Sequence, residues 1–246
     1  MTTIRCQDVT FTNIKAIIFD KDGTLENSQN FLRELGQRRA RMVDAQIPGI
    51  GEPLLMAFGI LDAQLDPTGL MAVGSRRDNE IATAAYIAET GRGWFESLEI
   101  AHSAFEEAER YLKGNTDTSP LFAGSLEVLK FLAEANLKLA ILSADSTAGV
   151  KAFIERHQLS AYIQLGMGVE TQGLSKPDPA LFLQACDALG VEAAQTLMIG
   201  DSAGDIEMAS KAGAAGTIGI CWGEAQTACL DKADVAIASL DELEVV

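Results

Sequence analysis

The chain has 246 residues, 48% of them apolar and 22% charged, with a mean hydropathy of +0.11. That apolar complement can bury a sizeable core and excludes intrinsic disorder. Against 35 acidic residues stand 19 basic ones, a net charge of −16 that repels phosphate backbones and anionic lipid and argues against nucleic-acid or membrane partners.

Residues 1–19 hold no apolar run of signal-peptide length, and no stretch of about 18 apolar residues occurs anywhere. The expectation is a soluble, cytoplasmic protein. The four cysteines, Cys6, Cys186, Cys221 and Cys229, form no C-x-x-C pair and no metal-ligand spacing, so they read as reduced, buried small hydrophobes. The first clear strand is Ala16–Phe19. From about 26 to 116 the pattern looks wholly helical, between polar breaks at Glu26-Asn27-Ser28 and at 114–120. Within it Trp94, Phe95, Leu98, Ala101, Phe105, Ala108 and Leu112 recur at helical spacing and read as a packing face. Four further apolar runs follow: Leu137 to Leu142, Tyr162 to Leu165, Thr196 to Ile199 and Thr217 to Cys221. Helical patterns at about 147–157, 179–189 and 204–212 separate them. This alternation predicts an α/β fold with a parallel sheet, whose right-handed crossovers put the strand C-termini on one ligand-binding edge.

The densest chemical signal lies at that edge. Asp20 closes the first strand and Asp22 follows two residues on, so in extended backbone both acids point the same way. Gly23 lets the chain turn away. Asp201 closes the Thr196–Ile199 run, and Asp205 follows where a helix begins, a place where an acid also serves as an ordinary cap. Several carboxylates on one rim call for a hard divalent cation, and an oxygen-only donor set suits Mg2+. His102 and His157 lie in helical patterns outside the cluster and read as neither ligand nor base. Ser143 ends the strand at Leu142. Lys176, just ahead of the helix opened by Pro179, is a fixed cation that offsets the acids and holds an anion.

These four stations, Asp20 to Thr24, Ser143, Lys176 and Gly200 to Asp205, resemble the motifs of the haloacid dehalogenase superfamily. The order, spacing and strand-end context agree from residue 15 to about 220. The resemblance implies a Rossmann-like core, residues 1–25 and 117–246, with an inserted all-helical cap domain, residues 26–116. That cap is similar to those of phosphoglycolate phosphatases and β-phosphoglucomutases, and would close over the rim and select substrate. It implies that Asp20 attacks phosphorus to form an aspartyl-phosphate and that Asp22 is the general acid and base. Mg2+ would be held by Asp20, Asp201 and the Asp22 carbonyl, with Asp205 in support. Thr24, Ser143, Ala144 and Lys176 would bind the phosphoryl group. The expected enzyme is a phosphatase acting on a small phosphorylated metabolite, because dehalogenases and phosphonatases of the superfamily lack the second acid. A phosphomutase, or a catalytically silent phospho-ligand-binding scaffold, is the alternative. Oligomeric state is left open.

Two features fall outside that pattern. After Ser143 the family often carries Asn, whereas here Ala144 and Asp145 follow; Asp145 either meets a substrate group or, as its N-cap preference favours, caps the helix near Ser146. Of ten arginines, eight lie between residues 33 and 110. Ser75 with Asp78 reads as a helix start that places Arg76 and Arg77 in a first turn, against the helix dipole. Unless Glu80 compensates, this predicts that Arg76 or Arg77 reaches a carboxylate or second phosphate on the substrate.

Overall fold

The structure, a computed structural model, describes residues 2–62, 64–113, 119–170, 173–222 and 231–246. It opens with two strands that the sequence pattern did not reveal, β1 (Thr2–Cys6) and β2 (Val9–Ile14), paired antiparallel. Strand β3 (Ala16–Phe19) follows directly and is buried at every position.

The chain then leaves for a separate compact unit, Ser28–Pro120. Here α1 (Gln29–Gln46) and α2 (Gly51–Ala57) precede a short hairpin, β4 (Ile60–Leu61) with β5 (Gln64–Leu65). Helices α3 (Leu70–Val73), α4 (Arg76–Glu89) and α5 (Trp94–Lys113) complete it. The segment is therefore helical apart from that hairpin, whose two-residue strands are too short to show an alternation. Its core gathers Leu54, Phe58, Ile87, Ala101, Phe105 and Ala108. The expected packing stripe on α5 starts at Leu98; Trp94 and Phe95, at the helix start, are exposed. Of the second expected break, residues 114–118 lie outside the described residues.

The other unit joins Met1–Asn27 to Leu121–Val246. After α6 (Ser125–Glu134) come β6 (Lys138–Leu142), α7 (Thr147–Arg156), β7 (Ile163–Met167), α8 (Pro179–Leu189), β8 (Thr196–Gly200), α9 (Ala203–Lys211) and β9 (Gly216–Ile220). Each expected strand and helix of this half is present to within about two residues, the usual uncertainty of element ends. Strands β10 (Val235–Ile237) and β11 (Leu243–Val245) were not anticipated. The sheet is six-stranded and parallel, in the order β10-β9-β8-β3-β6-β7, while β11 pairs with β1 to close a small antiparallel sheet.

The central strands are apolar without interruption because helices cover both their faces. Ile17, Phe19, Leu139, Ile141, Leu197 and Ile199 point into one layer with Leu129 and Phe153. Ala16, Ile18, Ala140, Leu142 and Met198 point into the other with Phe182 and Met208. At about 1.5–3 kcal/mol for each fully buried large apolar side chain, this two-sided burial is what holds the rim of the sheet rigid. Cys6, Cys186 and Cys221 are buried, and Cys229 lies outside the described residues. Among the described residues no helix is long and apolar enough to cross a membrane.

Candidate active site

Three neighbouring strands, β8, β3 and β6, end on the same edge, because the sheet is parallel and their registers align Phe19 with Ile141 and Ile199. Asp20 is the first residue past β3, its amide bonded to the Ile199 carbonyl at 2.9 Å. The backbone then turns tightly: the amides of Leu25 and Glu26 both reach the Lys21 carbonyl, at 2.9 and 3.0 Å. Gly23 has φ +78°, and a Cβ there would stand 1.9 Å from an Asp201 carboxylate oxygen. Both the turn and the closeness of Asp201 thus require glycine at this position.

Asp201 follows β8, and Asp205 lies in the first turn of α9. Asp20, Asp201 and Asp205 offer carboxylate oxygens that all lie within 4.8 Å of one another. Lys176 enters this group from the loop before α8. Its ammonium is 2.5 Å from Asp20 Oδ1 and 2.6 Å from Asp205 Oδ1. Asp205 divides its two oxygens between tasks: Oδ2 accepts from the Ser202 hydroxyl at 2.6 Å in a capping box, and Oδ1 faces Lys176. Capping and site membership, alternatives in the sequence, are both realised by one side chain.

One ammonium cannot neutralise three carboxylates, two of them buried and that of Asp201 half-buried. Burial pushes the Asp20 carboxyl up to about 7; Lys176 pulls it down, while Asp205 and Asp22 push it up. Burial likewise holds Asp201 well above the usual carboxylate range, reinforced by the charges of Asp20 and Asp205. For Lys176, burial opposes the charge, but Asp20 and Asp205 outweigh it and hold the amine above its ordinary value. Such an excess of negative charge, in an all-oxygen donor set with Asp201 packed against Gly23, fits a hard cation.

The remaining expected residues fall as follows. Ser143 is buried at the end of β6; its oxygen accepts the Asp145 amide at 3.1 Å, which leaves its own proton free to donate. Ala144, next to it, is half-buried. Thr24 is fully buried, with its hydroxyl 3.5 Å from Asp201 Oδ1. Asp22 stands apart from the three-acid group, its carboxylate 2.9 Å from the Lys21 ammonium. Ser146 is the cap of α7 and accepts the Gly149 amide, while Asp145 Oδ1 accepts the Ser146 amide at 2.6 Å. The other Asp145 oxygen lies 3.2 Å from the same Lys21 ammonium.

Lys21 is the residue the sequence reading passed over. The signal for it was available as two unexplained charges of opposite sign, Lys21 and Asp145, just beyond the ends of adjacent strands.

In the helical unit, Ser75 and Asp78 form the expected capping box at the start of α4. Arg76 is ion-paired within that unit to Glu80 at 2.9 Å and Glu109 at 2.7 Å, and Arg77 lies 3.8 Å from Glu80. The missing compensation that pointed these arginines at a substrate anion is therefore supplied internally, and the substrate-binding assignment of Arg76 and Arg77 loses its ground. His102 belongs to the same network, 3.1 Å from Glu80. His157 packs beside the Phe153 ring and lies 3.5 Å from Glu26.

The sequence profile of the haloacid dehalogenase-like hydrolases matches residues 14–213. The chain belongs to this family of hydrolases. Over 103 residues it is 37% identical to the probable phosphatase IndB of Dickeya dadantii, a match that spans 42% of this chain and 44% of that protein. The phosphoglycolate phosphatase of Photobacterium profundum is 28% identical and matches over 87% of this chain and 86% of its own. In fold, it is similar to a predicted phosphoglycolate phosphatase from Haemophilus somnus 129pt, with a TM-score of 0.67, 23% identity and coverage of 93% of this chain and 96% of that one.

Proposed function

We propose that this hydrolase is a phosphatase acting on the monoester of a small phosphorylated metabolite, with Asp20 as nucleophile and Asp22 as general acid and base. The observation that carries the reading is the position of Asp20: a buried carboxylate at the end of the central strand, held by Lys176 and grouped with Asp201 and Asp205.

Lys176 fixes the plane of the Asp20 carboxylate, so that one of its oxygens is presented to phosphorus. A P–O bond to Asp20 forms as the bond to the leaving alcohol breaks, and Asp22 gives its proton to the departing oxygen. Water then attacks the phosphorus of the aspartyl-phosphate, Asp22 takes its proton, and Asp20 is released with inorganic phosphate. Ser143 and the Ala144 amide would donate to the non-bridging oxygens, and Lys176 would add its charge. Asp20, Asp201 and Asp205 would hold Mg2+, which when bound neutralises phosphoryl charge and keeps these acids ionised at neutral pH.

The similarity to phosphoglycolate phosphatases makes short phosphorylated carboxylic acids the first substrates to try. A turnover screen over phosphorylated metabolites, run with Mg2+ and with EDTA, tests the proposal. Phosphate release should require the metal and stop in Asp20→Asn. Metal-independent turnover, or full activity in that variant, would refute the mechanism.

A further inference from the structure

We infer that Lys21 is a positioning residue for Asp22, held in place by Asp145. The inference rests on the acid–base role proposed above for Asp22. Among the described residues Lys21 is the one side-chain partner of the Asp22 carboxylate, with its ammonium 2.9 Å from Oδ2 and 3.2 Å from Oδ1. The ammonium straddles both oxygens, so it fixes the orientation of the carboxylate as well as its location. The Lys21 side chain is itself 8% exposed, and two other acids anchor it, Asp145 at 3.2 Å and Glu26 at 3.6 Å. Glu26 is buried and is held in turn by Arg156. The Phe153 ring, with its centroid 5.9 Å from the ammonium, adds an apolar wall on one side.

A lysine with so little freedom, set between two anchoring acids and the acid it holds, acts as a fixed post. The arrangement also explains Asp145. Its Oδ1 accepts the Ser146 amide at 2.6 Å at the start of α7, and its Oδ2 is turned to the Lys21 ammonium across two adjacent strand ends.

A general acid matters in proportion to how badly the leaving group needs a proton, and this separates positioning from mere support of the fold. The value of kcat/KM reports only the steps through release of the leaving group. An alkyl phosphate leaves as a poor alkoxide unless protonated, whereas dinitrophenyl phosphate leaves as a stable anion. In Lys21→Met, kcat/KM for an alkyl phosphate should fall about 10²-fold, the scale of a small misplacement of a catalytic group. The loss for the dinitrophenyl ester should be at least about tenfold smaller.

The paired substitution Lys21→Met with Asp145→Asn removes the cation and an anion together and leaves net charge unchanged, so it guards against loss of folding. It should show the same split between the two esters. Equal losses for both esters, no loss, or recovery of both in the paired variant would overturn the inference, because Lys21 would then only neutralise Asp145. Asp22→Asn, measured alongside, separates the two readings. If that variant shows no split, the acid role of Asp22 fails; if it shows one and Lys21→Met does not, the positioning role fails.

Discussion

Asp20 and Asp22 sit two residues apart, yet their surroundings differ, and so should the consequences of losing them. Asp20 is buried against Lys176 and two further acids, whereas Asp22 is bound to Lys21. Replacing Asp20 by Asn keeps the shape and removes the nucleophile; kcat should fall by at least about 10³-fold, the scale seen when a covalent catalyst is lost. Replacing Asp22 by Asn should act differently with an activated aryl phosphate. The phosphoenzyme still forms, but the water that hydrolyses it has lost its base. Acid-quenched protein should then carry hydroxylamine-labile phosphate, detectable by mass spectrometry. An absence of trapped phosphate in Asp22→Asn, with slow turnover persisting, would count against an aspartyl-phosphate.

Turns and helix starts deliver these side chains. The turn after β3 brings Gly23 so close to Asp201 that any side chain there must displace a site acid. Gly23→Ala therefore meets two penalties, the contact with Asp201 and a left-handed backbone costing about 1–2 kcal/mol for an L-residue. It should raise the Mg2+ concentration for half-maximal activity by about tenfold or more, since about 1.4 kcal/mol lost at the binding site is a factor of ten. A titration of activity against Mg2+ checks this, and an unchanged midpoint would mean that Asp201 does not depend on the turn. In the helical unit, Phe105 on α5 meets Phe58 edge-on at 6.4 Å, and the Arg39 guanidinium stands 4.2 Å over its ring. Arg39 is buried and held by Glu109, and burial lowers its pKa to about 10. Phe105→Ala should cost about 3–5 kcal/mol of stability, read from urea unfolding, because it empties a core site and strips apolar cover from a buried cation.

At the scale of the whole molecule, the site's excess negative charge links stability to pH and metal. A carboxyl raised from its ordinary 3.8 to about 7 in the folded protein holds a proton that the unfolded chain releases. Between those values the folded state binds more protons, so this group's contribution to stability declines as pH rises through the window. Other acids, Glu207 and Glu242 among them, are shifted downward and contribute the opposite slope. The comparison must therefore be between wild type and Asp20→Asn. In EDTA, the Tm of the wild type should fall relative to the variant between about pH 4.5 and pH 7.5. Added Mg2+ should raise the wild-type Tm most at the upper end, where the site acids are ionised. Parallel pH profiles for the two proteins would show that Asp20 is not the perturbed group.

The sequence by itself determined the parallel sheet, because strands buried on both faces are written as short apolar runs between helical patterns. It also determined that Asp20 and Asp201 follow strand ends, but not the company of Asp22: the chain turns at once after Asp20, and the Asp22 carboxylate stands with Lys21 apart from the other acids. Local chemistry sufficed for the Ser75–Asp78 capping box and for the turn at Gly23. The antiparallel pairing of β1 with β11 was not legible: the two strands lie at opposite ends of the chain, and no local pattern announces such a partner. Nor was the hairpin of β4 and β5, too brief for a period to show. Only the tertiary structure decided the charges. Glu109 reaches Arg76 across 33 positions and Lys176 reaches Asp20 across 156, separations at which no sequence spacing carries information. The same holds for Lys21 and Asp145. They lie more than a hundred residues apart in the sequence, and only the alignment of β3 beside β6 makes them a pair. Electrostatic partners are set by distance in space, and the fold supplies that distance.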